Sequence, residues 1–229
     1  MQVLWNNRQR LETAQQVEML HTKSVAILAG GQSRRMGRDK AQLRWGEASW
    51  LEHTARVALE VVSHLAVIGR SRPVDWPLGN IAFLEDAVPD SGPMGGLLAA
   101  LRWASELPQE CQVLALACDT PNLKSGAVEW VFEQASQRQL QHGLIVRNGG
   151  RVEPLFSIYT VRCLTLLEQR LASDEDSPGR FSLRAFIEAA DFEYVDAPAT
   201  IAAMLHNFNT PDDVRAFGSE GNTCEGSQK

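Results

Sequence analysis

The chain has 229 residues, of which 44% are hydrophobic, so it is long enough to bury a substantial core and fits one soluble domain with an appendage. Its 28 acidic residues outnumber its 22 basic ones, and the formal charge of −6 excludes a general nucleic-acid binder, which needs a basic surface. The apolar stretches are shorter than a membrane helix, and no secretory leader or Cys-x-x-Cys pair occurs, so we expect a cytoplasmic protein without membrane contact.

Predicted strands and helices alternate along most of the chain. Residues 1–22 are polar and Gln-rich, and we expect them to form an extension outside the core. Continuous apolar runs then predict strands of a parallel sheet that is buried on both faces. These runs are SVAIL, HLAVIG, NIAFLED, CQVLALACD and HGLIVR, at residues 24–28, 64–69, 80–86, 111–119 and 142–147. Apolar residues at helical spacing predict helices at 50–62, 93–107 and 124–139.

The alternation breaks after Arg147. Asn148-Gly149-Gly150 is a turn signal, and the run EPLFSIY after it predicts a strand outside the parallel series. Helices at 161–173 and 181–190 and a short strand at 192–198 follow. We expect one domain over residues 23–217 and a disordered tail over residues 218–229, which lack apolar content. The whole pattern predicts an α/β fold with a mostly parallel sheet and helices on both faces.

A glycine-rich turn, LAGGQSRRMGRDK at residues 28–40, directly follows the first predicted strand. Ligands of open α/β sheets bind beyond the carboxyl ends of the strands, so this location favours a binding site. The glycine spacing matches neither the Walker A loop nor the dinucleotide fingerprint. Backbone N–H groups together with Arg34, Arg35 and Lys40 suit a triphosphate, whereas a glycine turn with solvated arginines is the alternative.

Two carboxylates follow later strands. Asp86 ends the third strand, and a carboxylate there can accept two parallel hydrogen bonds from N1–H and the exocyclic amine of guanine. The alternative role for Asp86 is to cap a turn or a helix start. Asp119 ends the fourth strand before a Thr-Pro turn and is a candidate Mg²⁺ ligand, because Mg²⁺ needs few protein carboxylates when substrate phosphates complete its shell. An Asx-turn is the alternative for Asp119.

Together these segments resemble the molybdenum cofactor guanylyltransferase family. The glycine-rich turn matches the family's LAGG-x-S-x-R-M-G-x-D-K signature, and GPMGGLLAAL, CDTP, EPLFSIY and HNFNTPDD follow in family order within residues 25–217. The resemblance implies a three-layer Rossmann-like nucleotidyltransferase fold. It also implies transfer of GMP from GTP to the terminal phosphate of molybdopterin, with Mg²⁺ required and pyrophosphate released. Molybdoenzymes or their chaperones are the implied further partners.

The resemblance also assigns residues by position. The implied nucleotide-binding residues are Leu28, Ala29, Gly30, Gly31, Lys40, Asp86 and Asp119. Within this set Lys40 contacts the phosphates, Asp86 the guanine and Asp119 the metal. Arg35 would stabilise charge on the phosphates during transfer, so Arg35, Lys40 and Asp119 are the implied catalytic residues. Asn209 is a further candidate at the metal or at the pterin phosphate.

Two positions depart from the family pattern. Glu153 stands where the family has glutamine, which adds negative charge beside a phosphate site. Gly69 falls near where relatives carry an asparagine that touches the nucleotide, so no contact is assigned there. For the pterin itself, Arg147, Arg151 and Arg180 either line an anionic pocket or are solvated.

Other functions remain open. A molybdopterin cytidylyltransferase shares the scaffold, but such sequences typically read LAAG where this one reads LAGG, and Gly30 would leave space at the nucleotide-facing backbone, as a purine needs. A sugar-phosphate or isoprenoid-precursor nucleotidyltransferase explains CDTP and FNTPDD less well. A non-catalytic nucleotide-binding protein that delivers cofactor to a molybdoenzyme is disfavoured, because binding alone tolerates loss of Lys40 and Asp119 better than transfer does.

Overall fold

A mixed sheet forms the centre of the chain, for which a computed structural model describes residues 22–30, 44–45, 48–79, 81–107, 111–173, 179–206 and 208. The strands are β1 (Thr22–Leu28), β2 (Arg44–Trp45), β3 (Ala48–Ser49), β4 (His64–Ile68), β5 (Ala82–Leu84), β6 (Cys111–Ala117), β7 (Gly143–Asn148), β8 (Arg151–Val152), β9 (Phe156–Thr160) and β10 (Glu193–Asp196). The sheet order is β10-β7-β9-β6-β1-β4-β5, with β8 paired to β7, and β2 and β3 pair separately.

All but two strands of the large sheet run in one direction. Leu28 lies opposite both Ile68 and Ala117, so β1 is parallel to β4 and to β6, and β5 continues the parallel series beside β4. β9 is antiparallel to β6 and β7, β8 is antiparallel to β7, and β10 is parallel to β7. The carboxyl ends of β1, β4, β5, β6 and β7 therefore share one edge of the sheet.

Helices cover both faces of the sheet and make three layers. They are α1 (Trp50–Leu59), α2 (Pro93–Ser105), α3 (Ser125–Ser136), α4 (Leu164–Leu171), α5 (Leu183–Glu188) and α6 (Ala199–Ala202), with a 3₁₀ turn at Val161–Cys163. Alternate residues of β1 enter different apolar clusters: Val25 and Ile27 pack with α1 and α3, whereas Ala26 and Leu28 pack with α2, α4 and α5. Burial on both faces explains the continuous apolar character of this strand.

Capping residues set the starts of two helices that flank the site. The Ser49 hydroxyl accepts a hydrogen bond from the Glu52 amide at 3.1 Å and caps α1. Pro93 occupies the first turn of α2, where its missing N–H needs no partner, and Gly92 precedes it with φ +59°.

The predicted α/β class with three layers and a mostly parallel sheet is confirmed. The strand predicted from EPLFSIY outside the parallel series is β9, which is antiparallel to both of its neighbours and lies between β6 and β7. β1 begins at Thr22, two residues before the predicted start, and the short strands β2, β3 and β8 are additional. Local sequence patterns indicate a strand but not its neighbours.

The domain boundaries stay predictions, because residues 1–21 and 209–229 lie outside the described residues. Among the helices that the structure does describe, none has both the length and the apolar character needed to cross a membrane.

Candidate functional site

Three predicted site segments meet at the carboxyl edge of the parallel strands. Leu28, Ala29 and Gly30 end β1, Asp86 lies two residues beyond β5, and Asp119 lies two residues beyond β6. The turn after β1 is tied to β4, because the Ala29 amide donates to the Ile68 carbonyl at 2.9 Å. The structure therefore brings together segments that are far apart in the chain.

Gly30 and Gly69 pack backbone against backbone at this edge. Gly69, which directly follows β4, has φ +87°, and its amide donates to the Leu84 carbonyl at 2.8 Å. A Cβ on Gly69 would lie 2.5 Å from Cα of Gly30 and 2.7 Å from its amide nitrogen. Only glycine fits this conformation and this approach, so Gly69 sets the distance between the ends of β1 and β4.

The Asp86 carboxylate lies against three glycine positions. A Cβ on Gly30 would meet Oδ2 at 3.1 Å, and a Cβ on Gly69 or Gly96 would meet Oδ1 at 3.3 Å or 3.2 Å. Among the described residues no group donates a hydrogen bond to this carboxylate. α2 has Gly92 as its N-cap residue and no side-chain cap, so Asp86 does not cap the start of that helix. Its oxygens remain available to accept hydrogen bonds from a ligand.

Burial raises the pKa of Asp86 above the ordinary carboxyl value. A half-buried carboxylate without a donor is unfavourable for the folded chain, because its charge is partly removed from water. Such a perturbed group at a ligand-binding edge is a functional-site candidate.

One prediction about Gly30 needs correction. The space where a Gly30 side chain would stand is already occupied, with Cα of Gly69 at 3.0 Å and Oδ2 of Asp86 at 3.1 Å. The absence of a side chain at Gly30 thus makes room for neighbouring protein atoms and does not leave an open gap.

Asp119 lies at the end of β6 in a hydrogen-bonded turn. Its carbonyl accepts from the Phe208 amide at 3.0 Å, and the Leu123 amide donates to the Thr120 carbonyl at 3.0 Å. His53 on α1 approaches the same turn, with Nε2 at 3.3 Å from the Leu123 carbonyl. Asp119 is half-buried, and its Oδ1 is buried.

The donor chemistry at Asp119 fits Mg²⁺ bound jointly with a nucleotide. The described residues include no group of three or more His, Cys, Asp or Glu side chains placed to hold a metal. A single hard carboxylate suits Mg²⁺, whose remaining ligands would be phosphate oxygens and water, and does not suit Zn²⁺, which needs three or four protein ligands.

The segment that contains Glu153 also reaches this edge. The Ala117 amide donates to the Leu155 carbonyl at 3.3 Å, which ties the segment to the end of β6. Burial raises the pKa of Glu153, and the charge of Arg151 partly opposes this rise. The departure from the family's glutamine therefore places a second carboxyl group with a raised pKa, after Asp86, in a segment that is tied to the end of β6.

Arg70 is a candidate site residue that the sequence did not predict. Its Nε donates to the Ala29 carbonyl at 3.3 Å, across 41 residues of chain, and so places a cation beside the predicted nucleotide turn. The available signal was an arginine directly after a buried strand and a glycine. The basic residues of the glycine-rich turn likewise follow a buried strand and glycines.

Two of the three arginines considered for the pterin have protein partners. Arg147 pairs with Asp196 at 2.8 Å, and Arg180 donates to the Leu171 carbonyl. These contacts favour structural roles for both. A cavity of about 420 Å³ lies between α4 and α5, and its lining includes Arg170 and Arg180 but none of the predicted site residues.

Several predicted site residues lie outside the described residues, and their roles stay predictions. They are Gly31, Arg35, Lys40 and Asn209. Phe208, the neighbour of Asn209, is described and lies against Asp119, as the hydrogen bond between their backbones shows.

The sequence matches the MobA-like NTP transferase domain over residues 25–197. It is 32% identical over 193 residues to the molybdenum cofactor guanylyltransferase of Rhizobium johnstonii, an alignment that covers 82% of this chain and 88% of that protein. It is 30% identical over 196 residues to the probable molybdenum cofactor guanylyltransferase of Pelotomaculum thermopropionicum, covering 86% of this chain and 91% of that protein.

A solved structure shares the fold. The molybdopterin-guanine dinucleotide biosynthesis protein A from Archaeoglobus fulgidus superposes with a TM-score of 0.68 and 20% identity, over 86% of this chain and 99% of that one. At this identity the likeness concerns the arrangement of the strands and helices alone.

Proposed function

Since the chain belongs to the MobA-like NTP transferase family, and is therefore a nucleotidyltransferase, we propose that it transfers GMP from GTP to the terminal phosphate of molybdopterin. The products are molybdopterin guanine dinucleotide and pyrophosphate. The observation that carries this proposal is the meeting of Gly30, Asp86 and Asp119 at one sheet edge, which offers a backbone turn, a base-reading carboxylate and a metal-binding carboxylate to one nucleotide.

Asp86 supplies base recognition in this proposal. Its carboxylate accepts hydrogen bonds from N1–H and the exocyclic amine of guanine, and these donors would stabilise the charge of a carboxyl group whose pKa is raised by burial. Leu28, Ala29 and Gly30 run along the nucleotide. A cytosine presents a different pattern of donors and acceptors, so the same carboxylate disfavours CTP.

Charge neutralisation and alignment supply the catalysis. A phosphate oxygen of molybdopterin attacks the α-phosphorus of GTP in line, and the bond from that phosphorus to the pyrophosphate oxygen breaks. Lys40 and Arg35 stabilise negative charge on the phosphates. Asp119 would hold Mg²⁺, which supplies further charge neutralisation toward the departing pyrophosphate. No protein nucleophile is needed. We further propose that the protein works in the cytoplasm and passes its product to molybdoenzymes or their chaperones.

The proposal is tested by incubating the purified protein and Mg²⁺ with molybdopterin and each of the four nucleoside triphosphates, and by measuring pyrophosphate. We expect release with GTP alone. Faster release with CTP would identify a cytidylyltransferase instead, and nucleotide binding without release would identify a delivery protein. Asp119→Ala should reduce release by at least about a hundredfold, because one carboxylate carries the metal. Asp191→Ala, which removes an aspartate outside the proposed site, is the matched control.

A further inference from the structure

Two aromatic residues connect α1 to the turn that carries Asp119. Phe208 is 5% exposed, and its ring meets that of Trp50 edge to face, with centroids 6.0 Å apart and an interplanar angle of 71°. His206 approaches the same ring at 5.4 Å. The Phe208 amide donates to the Asp119 carbonyl at 3.0 Å. Phe208 makes both the ring contact and the hydrogen bond, so the position of its side chain and the position of its backbone amide restrain each other.

Trp50 is the first residue of α1 and is 1% exposed. Neither Trp50 nor Phe208 belongs to either of the two apolar core clusters formed by described residues. The Trp50 indole N–H has no hydrogen-bond acceptor within the described part of the chain. The edge-to-face contact with Phe208 is one specific contact that the described residues provide to this buried ring.

The position of Trp50 gives the contact a second consequence. α1 follows the glycine-rich turn and the β2–β3 pair in the chain, whereas Asp119 lies two residues beyond β6. The Trp50–Phe208 contact thus joins the element that follows the predicted phosphate turn to the strand end that carries the predicted metal ligand. This ring contact, together with the approach of His53 Nε2 to the Leu123 carbonyl, couples a shift in either one to the other.

We propose that Trp50 and Phe208 are positioning residues that form an aromatic latch, which fixes the Asp119 turn so that its carboxylate is oriented for joint binding of Mg²⁺ and nucleotide phosphates. This inference rests on the proposed function, because it takes Asp119 as the metal ligand. The latch itself makes no contact with substrate. Its removal loosens the backbone of Asp119 and so weakens metal-dependent binding more than metal-independent binding.

The nucleotide-binding test uses calorimetric titration of Phe208→Ala and Phe208→Leu with GTP, once with Mg²⁺ and once with EDTA. We expect Phe208→Ala to weaken binding in Mg²⁺ by about tenfold, because a carboxylate displaced by a fraction of an ångström coordinates poorly. Binding in EDTA should stay within about twofold of wild type. Phe208→Leu should recover part of the loss, since it restores apolar volume without the ring edge.

Phe192→Ala is the matched control. Phe192 is 7% exposed and makes an edge-to-face contact with Tyr159 at 5.7 Å, but it belongs to the core cluster on the α2 face. It should lower the thermal midpoint as Phe208→Ala does while leaving GTP binding in Mg²⁺ within about twofold of wild type. Equal loss of binding in both variants, or no loss in Phe208→Ala, would overturn the latch.

Amide hydrogen exchange in the ligand-free protein tests the latch independently of any nucleotide. The Phe208 amide should exchange slowly in wild type, and Trp50→Leu should accelerate it by at least about tenfold without a comparable change in the core strands. Unchanged exchange at Phe208 would refute the latch even if GTP is the substrate. A wild-type protein that shows this exchange pattern but does not bind GTP would refute the proposed function and retain the latch.

Discussion

Gly69 holds a backbone conformation, φ +87°, that residues with a side chain rarely adopt, and it does so against the backbone of Gly30. This pair explains a departure from the family pattern. An asparagine tolerates positive φ better than most residues, but its Cβ would meet Cα of Gly30 at 2.5 Å in this arrangement. At position 69 the chain therefore has close packing of the Gly69 backbone on the Gly30 backbone where relatives have an asparagine side chain.

Gly69→Ala should destabilise the protein and weaken GTP binding together. We expect the free energy of unfolding to fall by about 1–3 kcal/mol, because the new methyl group combines a strained φ with a backbone collision. Chemical denaturation measures this change. Gly126→Ala is the control, since a Cβ there meets no atom within 4 Å and lies in α3. Unchanged stability and GTP affinity in Gly69→Ala would refute the role assigned to this packing.

Asp86 should make stability depend on pH. Because burial raises its pKa, the folded chain binds a proton here more readily than the unfolded chain does. Between the ordinary and the raised pKa, this group's contribution to the free energy of unfolding falls as pH rises, and the full cost is present above the raised pKa. Asp86→Asn should thus equal or exceed wild-type stability at neutral pH, and the difference should shrink in acid.

Urea unfolding at several pH values measures this difference, and the same variant should lose its preference for GTP over other nucleotides. Glu85→Gln, at the exposed neighbouring position, should keep the preference. A less stable Asp86→Asn at neutral pH would mean that the carboxylate has a structural role.

At the scale of elements, β9 is joined to its neighbours in two different ways. It pairs with β6 over its whole length, from Gln112–Thr160 to Leu116–Phe156, but with β7 only at Gly143–Tyr159 and Leu144–Ile158. Beyond these two pairs, the fully buried Ser157 hydroxyl takes the place of backbone hydrogen bonds between β9 and β7. It accepts from the Val146 amide at 3.0 Å and donates to the Glu153 carbonyl at 2.7 Å.

Ser157→Ala should therefore lower the free energy of unfolding markedly, although it removes only one hydroxyl group. It leaves the buried Val146 amide without its acceptor, and we expect a loss of about 1–3 kcal/mol in the free energy of unfolding. Ser136→Ala, which removes an exposed hydroxyl bonded to the Glu133 carbonyl, should change it by less than about 0.5 kcal/mol. Equal effects in urea titrations of the two variants would contradict the role of Ser157.

The elements differ in how well the sequence predicts them. β1, β4 and β6 follow from continuous apolar runs, and α1 to α3 from helical spacing, because burial on two faces or on one leaves distinct local patterns. Asp86 and Asp119 follow from being polar directly after such strands. The insertion of β9 between β6 and β7 depends on long-range pairing, which no local pattern encodes. The same reason hides the contacts of Gly69, Arg70 and Phe208.

At the scale of the whole molecule, the proposed nucleotide site draws on the ends of β1, β5 and β6, which come from separate parts of the chain and are not consecutive in the sheet. Unfolding separates these segments, so the unfolded chain cannot reproduce the site. A nucleotide that binds there stabilises the folded molecule by mass action.

GTP with Mg²⁺ should thus raise the thermal midpoint of the protein more than CTP with Mg²⁺ does. At a ligand concentration about a hundredfold above the dissociation constant, the added stability is about 2.7 kcal/mol. Differential scanning fluorimetry measures the shift, and Asp86→Ala should make the two nucleotides equivalent. A larger shift with CTP in wild type would assign the base preference to cytosine.

β9 follows both of its partner strands in the chain, and this order has a consequence for biosynthesis. β6 and β7 leave the ribosome before residues 156–160, so for a time the growing polypeptide carries two strand borders whose shared partner has not yet emerged. Bare borders of this kind pair readily with foreign strands. Until residues 156–160 emerge and pair, the borders of β6 and β7 in the nascent polypeptide stay open to mispairing.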